Sequence, residues 1–508
     1  MRDLLEMTIE NSLHMPDVAT LVLNDPRLRY IDEETLTPGK TIEISASATA
    51  ADSKPKPVFD GEIVEIESDF GTSTHHLAVR AFDRLHRLSR GRFVRSFQNV
   101  TDSDLVRRIA SDMGLQADVD DTREVHAYLF QNNQTNLEFL RERAASVGHL
   151  LYVLGKKLCF KPVSQARQAV ELKWGATLSQ FRPRLTTIEQ VNSITTRGWD
   201  IKSRKEIVSE VKAGKGMPEI GQTKQGGDLS KEAFNITADF LVAGLPLHSQ
   251  TGADQTAKAV ANRHAERFVE ADGACIGNPD IVAGASLKIE AIGNRFSGTY
   301  FVTSATHKYD ARQGFTTYFS ISGQTASTLL SILRAGDRAD ATSGLVIGIV
   351  TDNSDPDGWG RVKVKYPWLS GDHASDWARV VAVGGGPGRG IEFLPEVNDE
   401  VLVGFEMGDI HHPYVIGGLW NGKDAPPKKS NSVISSGRVQ QRIIRSRTGH
   451  TITLDDSDGS SSVTIADKAG SKIVFDAAGG ALLIEAKANL TIKAGGKIDI
   501  KGTVIDLN

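Results

Sequence analysis

From Thr451 to the end, the chain is a ladder of short alternating runs whose step shrinks. The runs are Ile452-Thr-Leu454, Val463-Thr-Ile465, Ile473-Val-Phe475, Leu482-Leu-Ile484, Leu490-Thr-Ile492, Ile498-Asp-Ile500 and Ile505-Asp-Leu507. Residues two apart are apolar and the one between is often polar, which is the period of a strand with one buried face. The interval between runs falls from roughly eleven residues to about seven. Each run offers only two inward side chains, too few to bury a core alone, so it needs neighbours above, below and across. No helix covers the ladder and no long hairpin is apparent. The neighbours are therefore expected from other copies of the chain, in a narrowing, intertwined β-prism. Its inward residues would be Ile452, Leu454, Val463, Ile465, Ile473, Phe475, Leu482, Ile484, Leu490, Ile492, Ile498 and Ile500. Such an object is mechanical before it is catalytic.

The remaining sequence has ample length for conventional cores, about three or four domains in all. A net charge of −4, with both signs interspersed, gives no basic face for nucleic acid and no polybasic membrane anchor. Forty-eight glycines and few aromatics fit many strands joined by tight turns. The two cysteines, Cys159 and Cys275, are far apart and read as thiols of a protein made in a reducing cytoplasm. No signal peptide and no apolar run approaching about 18 residues is read, so export is expected to require a dedicated machine or lysis.

Strand patterns occupy Val18–Leu23, Ile42–Ser47, Gly61–Glu67 and His76–Ala81. Thr101 or Asp102 can cap a helix over Ser103–Met113, and Asn133 or Thr135 can open a second that stops at Gly148. A strand pair follows around Gly155, and residues 203–232 read as a flexible excursion. A third helix is expected over Asp254–Glu270, then a strand meander to Ile321, then a short helix over Ser327–Arg334. Residues 344–420 hold five strand patterns with a Gly-rich turn between the third and fourth, which suits a small closed barrel of the OB type. Residues 421–440 read as a linker.

In that block, Gly348-Ile-Val-Thr-Asp-Asn-Ser-Asp-Pro-Asp-Gly-Trp-Gly-Arg-Val-Lys-Val, Trp377-Ala-Arg-Val, Pro395-Glu-Val-Asn-Asp-Glu-Val and His412-Pro-Tyr-Val-Ile-Gly-Gly-Leu-Trp-Asn resemble the spike OB domain of valine-glycine repeat (VgrG) proteins and phage baseplate spikes. Upstream, Phe296-Ser-Gly-Thr-Tyr-Phe-Val and His307-Lys-Tyr-Asp resemble the closing part of that family's tail-hub module. The resemblance implies a mainly β chain. Residues 1–335 would form a tail-hub-like region of two β-barrel modules with helical insertions, 344–420 an OB-fold neck, and 441–508 a C-terminal triple-stranded β-helix needle.

It also implies a homotrimer that caps the inner tube of a contractile injection system and is driven through a target envelope when the sheath contracts. Its partners would be inner-tube proteins, baseplate proteins, a PAAR-type tip protein and effectors, with a target membrane met only on puncture. It would be made in the bacterial cytoplasm and leave in the particle. The tip protein would dock at Ile505, Asp506, Leu507 and Asn508. Residues 421–440 leave no room for a lysozyme-like domain, and no effector domain is expected after Asn508. The shortness of the chain favours an extracellular or phage-tail-like particle over type VI secretion.

Several motifs have both a chemical and a structural reading. Asp352-Asn-Ser-Asp355-Pro-Asp357-Gly358 has calcium-loop spacing at its start but lacks the acidic closing residue, and an Asx-stabilised turn is expected instead. Gly384–Gly390 is Gly-rich like a phosphate cradle, yet no Lys-Ser/Thr pair or helix follows it. His75-His76 and His411-His412 are adjacent pairs, and neighbours on a strand point to opposite faces, so neither pair is expected to chelate a metal. The His-any-His iron motif at the tip of some phage spikes has no counterpart in Gly502–Asn508. No cofactor site, nucleophile elbow or zinc-hydrolase motif is read. The chain is expected not to be an enzyme. The alternatives are a spike with an unrecognised cell-wall-degrading site in 203–250 or 421–440, and a trimeric adhesin or glycan-binding stalk.

Overall fold

The computed structural model describes residues 3–506 except 48–53, 73, 163–166, 201–202, 213, 215–217, 243–246, 324–343, 368 and 370–373. The helix expected at Ser327–Arg334 and the tip residues Leu507 and Asn508 lie outside these. The chain divides into two compact units, Met1–Gly417 and Gly418–Asn508.

The first unit is organised by a nine-stranded sheet. Its spatial order is Leu178–Leu185, Val269–Ile276, Gly314–Ile321, Ser304–Asp310, Leu4–Ser12, Val18–Asn24, His75–Phe82, Lys56–Phe70 and Thr41–Ala46. The pairing of Leu4–Ser12 with Ser304–Asp310 joins the beginning of the hub region to its end. Where two barrel modules are expected from sequence, the halves thus share one continuous sheet while each keeps its own core. One core is built around Ile9, Phe59, Ile63 and Leu77. The other gathers Phe268, Leu287, Ile289, Tyr300 and Phe319.

Between the halves lies a helical insertion. Thr101 caps the helix Asp102–Asp112 and Thr135 caps Asn136–Val147, each in a reciprocal capping box, with Asp104 and Glu138 as the returning carboxylates. The second helix stops at Gly148, whose φ of 70° lies in the left-handed region. Both helices bury one apolar stripe (Leu105, Ile109, Leu137, Leu140) against Phe97, Leu158 and Phe160.

The described residues of 203–232 are largely ordered in strand and helix rather than in the flexible excursion that their composition suggests. Lys205–Val211 pairs in register with Ser193–Asp200, and Gly226–Phe234 is a helix. The polar sequence misleads because the contact that fixes the helix is made by glycine. A Cβ on Gly227 would lie 2.2 Å from the Val191 carbonyl oxygen, so only glycine lets the two backbones meet.

The OB block forms as expected. Its five strands run in the order Lys363–Lys365, Val346–Asp352, Glu400–Phe405, Pro413–Gly418 and Arg379–Val380. The outer strands meet through Val362 and Ala378, whose reciprocal backbone hydrogen bonds of 3.0 and 2.7 Å close the barrel. Its interior is filled by Val350, Val362, Val364, Val401, Val403 and Val415, all fully buried. Two further side chains reach this core from the helical insertion. Phe130 is buried in it and Tyr128 donates a 2.8 Å hydrogen bond to the Ala374 carbonyl.

In the second unit, residues 421–440 carry a short helix, Ser430–Val433, and a two-residue-strand hairpin. Beyond them is a five-stranded antiparallel meander: Gln441–Arg445, Thr451–Asp455, Ser462–Ala466, Lys472–Asp476 and Ala481–Glu485. Here the strand partners differ from those expected. The first four runs of the ladder pair with one another inside a single chain rather than with strands of other copies. The connections 456–461, 467–471 and 477–480 are long enough to reverse the chain, and Gly459, Gly470 and Gly480 supply left-handed φ values of 75°, 97° and 64°. The last three runs differ. Leu490, Ile492, Ile498, Ile500 and Ile505 lie in segments that form no strand within the described part of this chain.

Candidate functional site

The meander has one apolar face and one mixed face. Its register stacks Ile444, Ile452, Ile465, Ile473 and Ile484 in one cross-strand column, and Leu454, Val463, Phe475 and Leu482 in the next. Alternation places both columns on the same face. On the other face the central column reads Ile443, Thr453, Thr464, Val474 and Leu483. The first face is uncovered within the chain: Ile452 is 41% exposed and Leu482 58%. Eight of the twelve residues expected to line the prism, those from Ile452 to Ile484, are therefore gathered on one surface. The other four, Leu490, Ile492, Ile498 and Ile500, are 47–64% exposed and pair with nothing in the described chain. Of the expected tip residues, Ile505 is exposed, 52%, and Asp506 is exposed beside it.

The OB block also presents apolar side chains outward. Val381, Val383, Ile391 and Phe393 flank the Gly-rich segment and are all more than half exposed. That segment is a hairpin, with the Gly386 and Arg389 backbones bonded to each other and Ile391 N–H donating to the Val383 carbonyl. A barrel loop, not a phosphate cradle, is what these residues build.

The Asp355 turn is a charge-filled Asx turn. Its carboxylate accepts backbone N–H groups from Asp357, Trp359 and Arg361, and the Arg361 guanidinium grips both oxygens. The Arg361 hydrogen bonds hold the Asp355 carboxyl well below the usual carboxylate range, outweighing the opposing effect of desolvation. Arg361 also lies 4.7 Å from the Trp359 ring centroid.

Both histidine pairs split, His75-His76 by the alternation of a strand and His411-His412 within a turn. His75 is buried, its Nδ1 2.8 Å from the Asp25 carbonyl and its Nε2 2.8 Å from Ser68 Oγ, while His76 is only half-buried. At the other pair, His411 Nδ1 bonds Asp409 at 2.6 Å and its Nε2 accepts the Phe130 N–H at 3.0 Å. Although burial pushes the Asp409 carboxyl up, contact with His411 dominates and holds it down at about 2. His412 turns the opposite way, toward His248, with ring centroids 4.2 Å apart. Burial, with His248 nearby, pushes the His412 imidazole down to about 4.

Two features escape sequence reasoning. The meeting of His248 with His412 and Glu406 joins residues remote in the chain and has no local signal. The entry of Tyr128 and Phe130 into the barrel core does have one. The strand Val125–Gln134 is apolar on both faces, with Leu129 turned to its own module's core. A two-sided strand implies a second partner.

The sequence family described as the Alg8 N-terminal domain matches residues 3–311. The type VI secretion system/phage-baseplate injector OB domain matches residues 346–420. Among curated proteins, the type VI secretion system spike protein VgrG5 of Pseudomonas aeruginosa is 23% identical over 393 residues, 67% of this chain. The match spans 48% of VgrG5, about half its length. VgrG3 of Vibrio cholerae is 35% identical over 75 residues, 14% of this chain and 7% of that one. Among solved structures, the Escherichia coli c3393 protein, described as a type VI secretion component similar to the T4 tail proteins gp27 and gp5, superposes with a TM-score of 0.54 at 14% identity. That alignment covers 82% of this chain and 96% of c3393. The lidded Francisella PdpA–VgrG complex gives 0.57 at 9% identity, over 96% of this chain and 76% of that one. At such identities the structural likeness speaks to the fold.

Proposed function

This chain belongs to the family of the Alg8 N-terminal domain and is a VgrG-like spike protein, and from that premise we propose that it works as the homotrimeric central spike of a contractile injection system. The observation that carries this reading is the bare apolar face of the meander. Nine aligned side chains share this face, and eight of them, Ile444 and Leu454 among them, are at least 36% exposed. Completing their burial is worth on the order of 10 kcal/mol per chain. That is enough to offset the cost of association when three equivalent faces meet around an axis. The five-stranded meander would form one face of the prism per chain. The runs from Leu490 onward, lacking partners in their own chain, would take their strand neighbours from the other two copies. A prism closed in this way has no lateral edges and is mechanically stiff.

On this reading the hub region seats on the inner tube and the outward apolar residues of the OB block, such as Val383 and Phe393, meet the neighbouring copies. The needle end near Ile505 and Asp506 is the docking place of a PAAR-type tip protein or effector. The spike acts by puncture when the sheath contracts, having been made in the cytoplasm and carried out in the particle. Its role is structural. Light scattering on the purified full chain tests the oligomer directly: a mass of three copies is expected. A monomer that keeps its secondary structure at micromolar concentration would remove the basis for the spike reading.

A further inference from the structure

The strongest unassigned cluster in the first unit lies where the OB block meets the hub, at the turn joining Glu400–Phe405 to Pro413–Gly418. This turn is held by its own backbone: Glu406 N–H donates to the His412 carbonyl at 3.0 Å, and Asp409 N–H to the Glu406 carbonyl at 2.9 Å. Glu406 and His412 are thereby fixed side by side at its two ends. Facing them is His248, next to Ser249, the residue that caps the helix Gln250–Glu266. One donor atom from each of His248, Glu406 and His412 lies within 4.8 Å of the others.

The state of His248 is the informative part. Its Nδ1 lies 3.2 Å from the Trp199 carbonyl, which can only accept, so Nδ1 carries the proton. In a neutral ring the lone pair then sits on Nε2. That atom is buried and makes no hydrogen bond in the structure. It lies 3.4 Å from Glu406 Oε2. A bare lone pair aimed at a carboxylate oxygen is repulsive unless a cation or a proton lies between them. A charge-assisted N–H···O bond would draw the two atoms to about 2.7–2.9 Å. By contrast, two donors on one tetrahedral zinc ion, each at about 2.0–2.1 Å, sit roughly 3.4 Å apart. The outer contacts are those that metal ligands use. A backbone carbonyl fixes the histidine tautomer, and Tyr414 Oη donates to Glu406 Oε2 at 3.0 Å.

We propose that His248, Glu406 and His412 bind one divalent transition-metal ion, with zinc the natural occupant, as a clasp between the hub and the OB block. Two imidazoles and one carboxylate are a donor set suited to zinc and its first-row neighbours rather than to calcium or magnesium. Water completes the coordination, or Asp409, whose Oδ2 is 4.0 Å from His412 Nε2. The ion adds a cross-link to the contacts that Tyr128 and Phe130 already make with the barrel.

The full-length chain, stripped with EDTA and dialysed, is reloaded with Zn2+ and separately with Co2+. One tightly held Zn2+ per chain is expected, with the intense visible absorption of four-coordinate Co2+. Retention should fall at least tenfold in His248→Ala and in Glu406→Gln, and EDTA should lower the melting temperature of the parent but not of His248→Ala. Retention equal in parent and His248→Ala would overturn the clasp. So would a cobalt spectrum like that of the hydrated ion. If the variants fail to fold, the parent's zinc stoichiometry and cobalt spectrum decide alone, and absence of stoichiometric binding refutes the site. None of these readings depends on the oligomeric state.

Discussion

The OB barrel and the needle meander are built from the same alternating strands, yet they end in opposite conditions. In the barrel, the Val362–Ala378 bridge joins the outer strands, and Val350, Val362, Val364, Val401, Val403 and Val415 are fully buried by the chain itself. In the meander, the alternation is as regular, but the sheet stays open and its isoleucine column faces outward. Periodicity specifies which residues share a face. Closure decides whether that face is a core or an interface. The barrel's core is therefore complete within one chain, and the needle's apolar face is left open by it.

The largest expected effect breaks the needle and spares the barrel. Ile473→Asp sits between Ile465 and Ile484 in the apolar column. In a closed prism it would bury three uncompensated carboxylates, at several kcal/mol each and on the order of 10 kcal/mol in total. Light scattering should show single copies in place of three, with the thermal transition of the first unit unchanged. Ile492→Asp tests the unpaired part of the ladder in the same way. A normal trimer from either variant would mean that this face is not an interface.

Val401→Asp is the reverse test. Val401 is fully buried and paired with Gly348 on the neighbouring strand. A charge there has no partner and should cost about 4 kcal/mol or more. The loss should appear in urea unfolding at any protein concentration. A destabilisation that vanished at high concentration would show that the barrel, too, depends on assembly.

The comparison also explains what could be read from the sequence. The strands of the barrel and the needle residues from Ile452 to Ile484 that share a face were legible, since both follow from a period of two and from turn residues. The capped helices were legible because Thr101 and Thr135 carry their signal within four residues. The pairing partners in the ladder were not, because the turn lengths that permit an in-chain meander also permit a crossing to another copy. The helix Gly226–Phe234 was hidden because its packing depends on an absent side chain. The continuous hub sheet and the His248–Glu406–His412 cluster were hidden for a simpler reason: no local pattern records which distant strand or turn comes to lie alongside.

A smaller effect tests whether the hub is as self-contained as the barrel. His307 is fully buried on a central strand, with Nδ1 3.0 Å from Thr317 Oγ1. Burial pushes its pKa from 6.5 down to about 4. The ring is thus neutral in the folded state at neutral pH. An unfolded chain takes up the proton from pH 6.5 downward, so the stability is complete above that value and is lost as pH falls toward 4. The loss should reach up to roughly 3 kcal/mol. His307→Gln should flatten that limb of a stability–pH curve. An unchanged slope in the variant would assign the acid sensitivity elsewhere.

The smallest effect compares turns. Asp355 receives three backbone N–H groups and a two-pronged guanidinium, and its side chain is only 3% exposed. Asp467, in a needle turn, accepts the Ser471 N–H and is open to water. Asp355→Ala should therefore cost about 2 kcal/mol, because it strands donors in a partly buried loop and leaves Arg361 with only Asp357. Asp467→Ala should cost less, since water can replace the lost acceptor. Because the folded pKa of Asp355 is depressed, its contribution is complete above the ordinary carboxylate range near 3.9 and fades as pH falls below it. The gap between parent and Asp355→Ala in urea midpoints should accordingly be constant from pH 7 to 5 and shrink toward pH 2. If Asp467→Ala proved the more damaging, the needle turns would have to be buried by neighbouring copies, and the assembly would then hold the turns as well as the apolar face.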